Sequence, residues 1–247
     1  MLLKFICCDV FTRIACDLVA KSENIVDLEF MPMLAHVEPE KLRYAIQEKL
    51  LQTEQSARVY DAIILGFGLC GNATIGLSSE IEMVIPRAHD CCTLFMGSKE
   101  RFLAEFGNAL STRWLTTGYY ERTMAANTGY PLYDTQDNYK TSVEYMEFLD
   151  QYDPETAEYL WETLHPKIET HESVYINIDG YEHNNARERY SELMESMDIA
   201  VRVCQGDTSM LKALVDGDWD EQRFLRVPPG QKIAGVYDMD EVMKAAV

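Results

Sequence analysis

Three cysteines from separate stretches stand out chemically: Cys8 in FICCDV, Cys70 in GFGLCGN and Cys91 in PRAHDCC. A thiolate binds soft metals or attacks as a nucleophile, and either task needs a defined place in the fold. Each cysteine follows a short apolar run, the pattern of a buried parallel strand that opens into a polar loop. Cys7, Cys204, His36 and His89 also fall within a few residues of an expected strand's carboxyl end. Ligands of open α/β sheets sit beyond those ends, so residues distant in sequence meet on one rim. No two cysteines are spaced C-x-x-C, which sets aside a zinc ribbon, a ferredoxin run and a thioredoxin motif. The expected metal ligands are Cys8, Cys70, Cys91 and His89, with His36 nearby. Three thiolates and an imidazole suit zinc with an exchangeable position, whereas three thiolates alone suit an iron–sulfur cluster with one open iron. The same cysteines also read as small core residues, or as a catalytic thiol.

The segment from Pro86 to Cys91 offers further chemistry. Arg87 suits a carboxylate or phosphate, or a surface ion pair. Asp90 suits a partner that orients His89, or a cap on the following helix. His89 would be a fourth ligand or a general base, which makes His89, Asp90 and Arg87 the candidate catalytic residues. Gly68, Gly71 and Asn72, with Gly118 and Tyr119 further on, are the candidate cofactor-binding residues. The glycines match neither G-x-G-x-x-G nor a Walker loop, so a nucleotide is a poor expectation there.

The elements that must position these groups follow from periodicity and turn residues. Strands are expected over 2–8, 25–31, 61–68, 82–86, 112–116, 174–178, 199–203 and 224–227. Helices are expected from Asp9 or Thr12 to Ala20, from Pro39, over 73–79, from the Asp90 cap, from Ser98, over 142–149, 154–164, 185–197 and 209–215. Their alternation implies right-handed β-α-β units throughout. The expected fold is α/β, a Rossmann-like and mostly parallel sheet in two lobes. Residues 1–120 form the lobe that carries the Cys/His rim, 121–172 a helical insertion or lid, and 173–247 the second lobe, all able to pack as one compact domain.

At 247 residues with 47% hydrophobic and 26% charged content, the chain can bury a full core. A formal net charge of -19 argues against nucleic acid and anionic membrane as partners. No apolar run reaches the length of a membrane span, and the first residues run into a strand without a small-residue cleavage site. A cytoplasmic location is expected. Seven cysteines without a secretion signal suggest reduced thiols or metal ligands rather than disulfides.

The blocks LAHVEPEKL, GFGLCGNATIGL, VIPRAHDC, TTGYY and GDWDEQRFLRVPPGQ resemble the domain of unknown function family 1638 of anaerobic bacteria and archaea. Tyr119 stands where the resemblance leads one to expect Trp. The resemblance implies company with corrinoid-dependent methyltransferases, hence one-carbon chemistry. The leading expectation is therefore a zinc-thiolate protein of anaerobic one-carbon metabolism, a metal-dependent methyltransferase acting on a small-molecule methyl donor or acceptor, with corrinoid supplied through a partner. The alternatives are an open iron–sulfur cluster in a lyase or desulfidase, and a noncatalytic accessory protein that docks on a corrinoid protein or methyltransferase.

Overall fold

The computed structural model describes residues 1–33, 39–107, 112–125, 143–164, 172–236 and 241–247. Five strands form the principal sheet: β1 (Leu2–Cys8), β2 (Ile25–Met31), β3 (Ala62–Gly66), β4 (Met83–Pro86) and β8 (Phe224–Val227), in the order β2-β1-β3-β4-β8. The first four pair in parallel. A second, all-parallel sheet has the order β5-β6-β7, from Arg113–Leu115, Glu172–Asn177 and Ala200–Gln205. The fold is α/β with a mostly parallel, Rossmann-like central sheet, and no helix among the described residues is long and apolar enough to cross a membrane.

Alternation along β1 makes the two faces of the first sheet. Leu3, Phe5 and Cys7 enter one core, while Ile6 enters the other. The Ile6 side is covered by α2 (Pro39–Glu54) through Leu42, Ile46 and Leu50. On the Phe5 side pack α1 (Thr12–Lys21), α3 (Cys91–Met96), α4 (Lys99–Phe106) and α9 (Ser209–Asp216). Val174, Ile176 and Ile178 from β6 and beyond belong to that same core, so the two sheets share it. Tyr175 faces the other way, against Tyr190 of α8 (Ala186–Glu195).

Three expectations are corrected. The β-α-β units do not run throughout, because β8 pairs antiparallel with β4. A four-residue run such as Phe-Leu-Arg-Val carries a period but no direction, and pairing direction is set by what precedes it. No helix forms over 73–79: Gly76 sits at φ +87°, and Gly76 and Leu77 exchange backbone bonds with Ile233. Ile233 lies in β9 (Lys232–Gly235), which forms an antiparallel hairpin with β10 (Met243–Ala246), a pair the sequence pattern did not disclose. Finally, Thr117–Tyr120, where no helix is expected after the strand over 112–116, is a short helix, α5, capped by the Thr116 hydroxyl. The aromatic-rich segment does form the two expected helices, α6 (Val143–Gln151) and α7 (Pro154–Leu164).

Candidate functional site

The sheet order places β1 between β2 and β3, so chain connections leave β1 and β3 toward opposite sides and open a crevice at their carboxyl ends. Cys8 ends β1, and Gly66 ends β3 opposite Cys7. A Cβ on Gly66 would lie 2.5 Å from the Cys7 sulfur, so glycine here keeps the two strand ends in contact. Beyond β3 the chain runs alongside the loop after β4: Leu69 N–H donates to Ala88 O and Cys70 N–H to His89 O, each at 2.9 Å. A Cβ on Gly68 would meet Ala88 O at 2.7 Å and Asp90 N at 2.8 Å. Close approach of two backbones, rather than a phosphate, explains that glycine. Cys70, Gly71 and Asn72 then follow one another at φ 48°, 63° and 70°. A cysteine in the left-handed region costs conformational energy, which simple core packing does not require.

Cys91 opens α3, whose cap is Asp90: its carboxylate accepts from Thr93 N at 3.3 Å. Tyr119 approaches from α5, where Gly118 allows the turn to press on the 3-10 turn Asp9–Phe11; a Cβ there would lie 1.9 Å from Val10 O. The Tyr119 hydroxyl lies 2.8 Å from the Cys91 sulfur, and its ring meets Trp114 edge to face.

These elements enclose a cavity of about 320 Å³ lined by Cys8, Cys70, Cys91, Asp90, Gly71 and Tyr119 from the expected set. The volume is at the low end of the roughly 300–1,000 Å³ typical of small-molecule sites. Gly66 at the end of β3 also lines it, and the remaining walls, Pro32, Met33, Leu42, Phe67 and Trp114, were not foreseen, because apolar residues at strand ends read as core. Of the remaining expected residues, Arg87, His89, Gly68, Asn72 and Gly118 do not line it. Arg87 donates to three backbone carbonyls, those of Glu221, Glu241 and Met243, and so ties the C-terminal segments to the sheet. Asn72 offers its carbonyl to Arg43. Among the described residues the buried Nε2 of His89 has no hydrogen-bond partner, and the Asp90 carboxylate is engaged at the helix terminus instead. His36 lies outside the described residues. Cys7 and Cys92 are fully buried core residues, Cys16 is exposed on α1, and the Cys204 sulfur rests 4.0 Å from Met96 Sδ.

Burial dominates the electrostatics. It pushes the Cys8 and Cys91 thiols far up and Cys70 to about 12, and each is pushed further by another of the three or by Asp90. Weaker influences pull the other way: a backbone bond at Val10 and the Arg122 charge on Cys8, a backbone bond at Gly68 on Cys70, and the Tyr119 hydroxyl on Cys91. Burial likewise raises the Tyr119 phenol and the Asp90 carboxyl. As free groups the three sulfurs are neutral thiols, and a thiolate here requires a cation beside it. Among the described residues, no three His, Cys, Asp or Glu side chains stand in an arrangement that could hold a metal ion.

No curated protein and no solved structure matches the chain. A family profile described as "Protein of unknown function (DUF1638)" matches residues 30–215, a span that contains Cys70, Cys91 and Tyr119 but begins after Cys8. With most of its length matched, the chain belongs to this family.

Proposed function

We propose that Cys8, Cys70 and Cys91 bind a thiophilic metal centre at the switch point of the sheet, and that this centre acts on a small molecule held in the adjoining cavity. The observation that carries the reading is the convergence of three thiols from three loops on one largely apolar cavity at the place where α/β sheets bind ligands. Neutral thiols in such a place do little, whereas metal binding supplies the positive charge that burial withholds. The strained Cys70 supports the same reading. Bound zinc would supply Lewis acidity and a lowered pKa for a substrate thiol. The chain's own residues would exclude water with Phe67, Leu42 and Trp114, and the Tyr119 hydroxyl would donate a hydrogen bond to the Cys91 sulfur. Methyl transfer to a thiol, coupled to a corrinoid partner in the cytoplasm, is the reaction we propose for this centre, on the strength of the family resemblance. The thiol would lose its proton to solvent, and its sulfur would bond to the methyl group as the bond from methyl to donor breaks and the donor keeps that electron pair.

One observation favours an iron–sulfur cluster over zinc. A single zinc ion needs its sulfurs about 3.8 Å apart, from a bond near 2.3 Å and a tetrahedral angle. A cluster binds each thiolate to a different iron, so it does not require the three cysteines that line the cavity to form a one-ion group, and among the described residues they form none. Metal and sulfide analysis of anaerobically purified protein tests both readings. Stoichiometric zinc without colour supports the first, and iron with acid-labile sulfide and broad visible absorption the second. Cys70→Ser and Cys91→Ser should each lose most of the metal while Cys16→Ser keeps it. Protein that carries neither metal, or full occupancy in both rim variants, overturns the assignment.

A further inference from the structure

The walls of this cavity have a sign. Among the described residues that line it there is no Lys, Arg or His, while Asp90 contributes a carboxyl group. Trp114 and Tyr119 meet with ring centroids 4.8 Å apart and planes at 81°, so two aromatic walls stand nearly at right angles, with Phe67 as a further ring in the lining. The nearest guanidinium identified by its effect on Cys8, that of Arg122, is occupied by Asp9 O at 3.0 Å and the Thr12 hydroxyl at 2.6 Å. An anion in the cavity would face sulfurs and a carboxyl with no compensating charge among the described lining residues, and the chain's formal -19 adds repulsion on approach. A cation is drawn by both the ring faces and the carboxylate.

We propose that the cavity takes a small organic cation, an ammonium or sulfonium with apolar substituents, seated against Trp114 and Tyr119 with Asp90 as its counter-charge. Its role as the molecule presented to the sulfur centre rests on the reading above. Three thiolates outweigh the two positive charges of a zinc ion, so the loaded centre stays net negative and selects the same sign of ligand. Pro32, Met33 and Leu42 on the remaining wall offer contact to methyl or methylene groups.

Isothermal titration of the full-length, anaerobically purified protein with choline, with its neutral carbon isostere 3,3-dimethyl-1-butanol and with acetate tests the inference. Choline should bind at least tenfold more tightly than the isostere, and acetate should not bind. Trp114→Leu and Asp90→Asn should each weaken choline several-fold, with thermal denaturation run on both to check folding. Equal affinity for choline and the isostere, preference for acetate, or no choline binding at millimolar concentration overturns the proposal, and these wild-type comparisons stand whether or not the variants fold. Metal content measured on the same sample separates the two readings. Metal-free protein that prefers choline defeats the metal centre and keeps the cation site, while loaded protein indifferent to charge does the reverse.

Discussion

The Tyr119 hydroxyl lies 2.8 Å from the Cys91 sulfur, and burial pushes the pKa of both groups up. The bond itself acts in the opposite direction on Cys91, holding its pKa lower than burial alone would. Tyr119→Phe removes that support, so the thiol gives up its proton only at higher pH. Since a metal must compete with that proton, the pH below which metal is released should move upward. A hydrogen bond to a charged group is worth about 1.5–3 kcal/mol, which corresponds to roughly tenfold or more in metal affinity. Dialysis of wild type and variant over a pH series, followed by metal analysis, reads the shift. Superimposable retention curves would show that the phenol does not support the thiolate.

Asp90 both caps α3 and lines the cavity, and two substitutions separate these roles. Asp90→Ala should cost about 1 kcal/mol through the lost cap. Asp90→Asn keeps a capping oxygen and removes an ionised group whose pKa burial raises. A raised carboxyl pKa penalises the folded state once pH exceeds the unfolded value, so the Asn variant should be at least as stable as wild type at neutral pH. Metal or ligand affinity should nevertheless fall. Thermal denaturation and metal binding on both variants decide the matter; an Asn variant with wild-type affinity leaves Asp90 as a cap alone.

Local chemistry was legible in the sequence to the extent that it was local. The bounds of β1, β2 and β8 and the Asp90 and Ser98 caps follow from period, Pro32 and hydroxyl or carboxyl side chains at helix starts. Cys8, Cys70 and Cys91 were legible as a group because each follows an apolar run and parallel strands bring their ends together. What escaped depends on partners distant in sequence. Residues 73–79 forgo a helix to pair with a hairpin more than 150 positions later, and the guanidinium of Arg87 is claimed by carbonyls of Glu221, Glu241 and Met243. Trp114 and Phe67 line a cavity with the same apolar surface that would serve a core, so nothing in their type marks the role.

Gly118 couples the fold to the site. Its φ is ordinary, so the constraint is steric: a side chain would collide with Val10 O, a backbone atom that cannot rotate away. Gly118→Ala should push α5 off the Asp9–Phe11 turn, costing about 1–3 kcal/mol as overpacking does. Tyr119, the next residue, would move with it, so metal affinity should fall together with stability. Denaturant midpoints and metal content check the pair of effects, and an unchanged midpoint would show that the turn has room to shift.

Asp207 follows β7 and joins the second sheet to the helices on the first. Its backbone N–H donates to Phe95 O at 2.8 Å, and its carboxylate accepts from Ser209 N at 2.5 Å and from Arg101 Nη1 at 2.9 Å. Burial alone would raise the pKa of this carboxyl, but the bonds from Ser209 and the Arg101 charge hold it below the ordinary value. A lowered folded pKa means that the unfolded chain takes up the proton first as pH falls. The stability contributed is therefore complete above the unfolded value, about 3.9, and lost as pH drops through the folded one. The pair is partly exposed, so the contribution should be only about 0.2–1 kcal/mol. Asp207→Asn should be less stable than wild type by that amount at neutral pH, and the gap should be smaller at about pH 3, below the unfolded value. Urea denaturation of both proteins at the two pH values measures it, and a gap undiminished in acid would place the effect in side-chain packing against Gly97 rather than in the carboxylate.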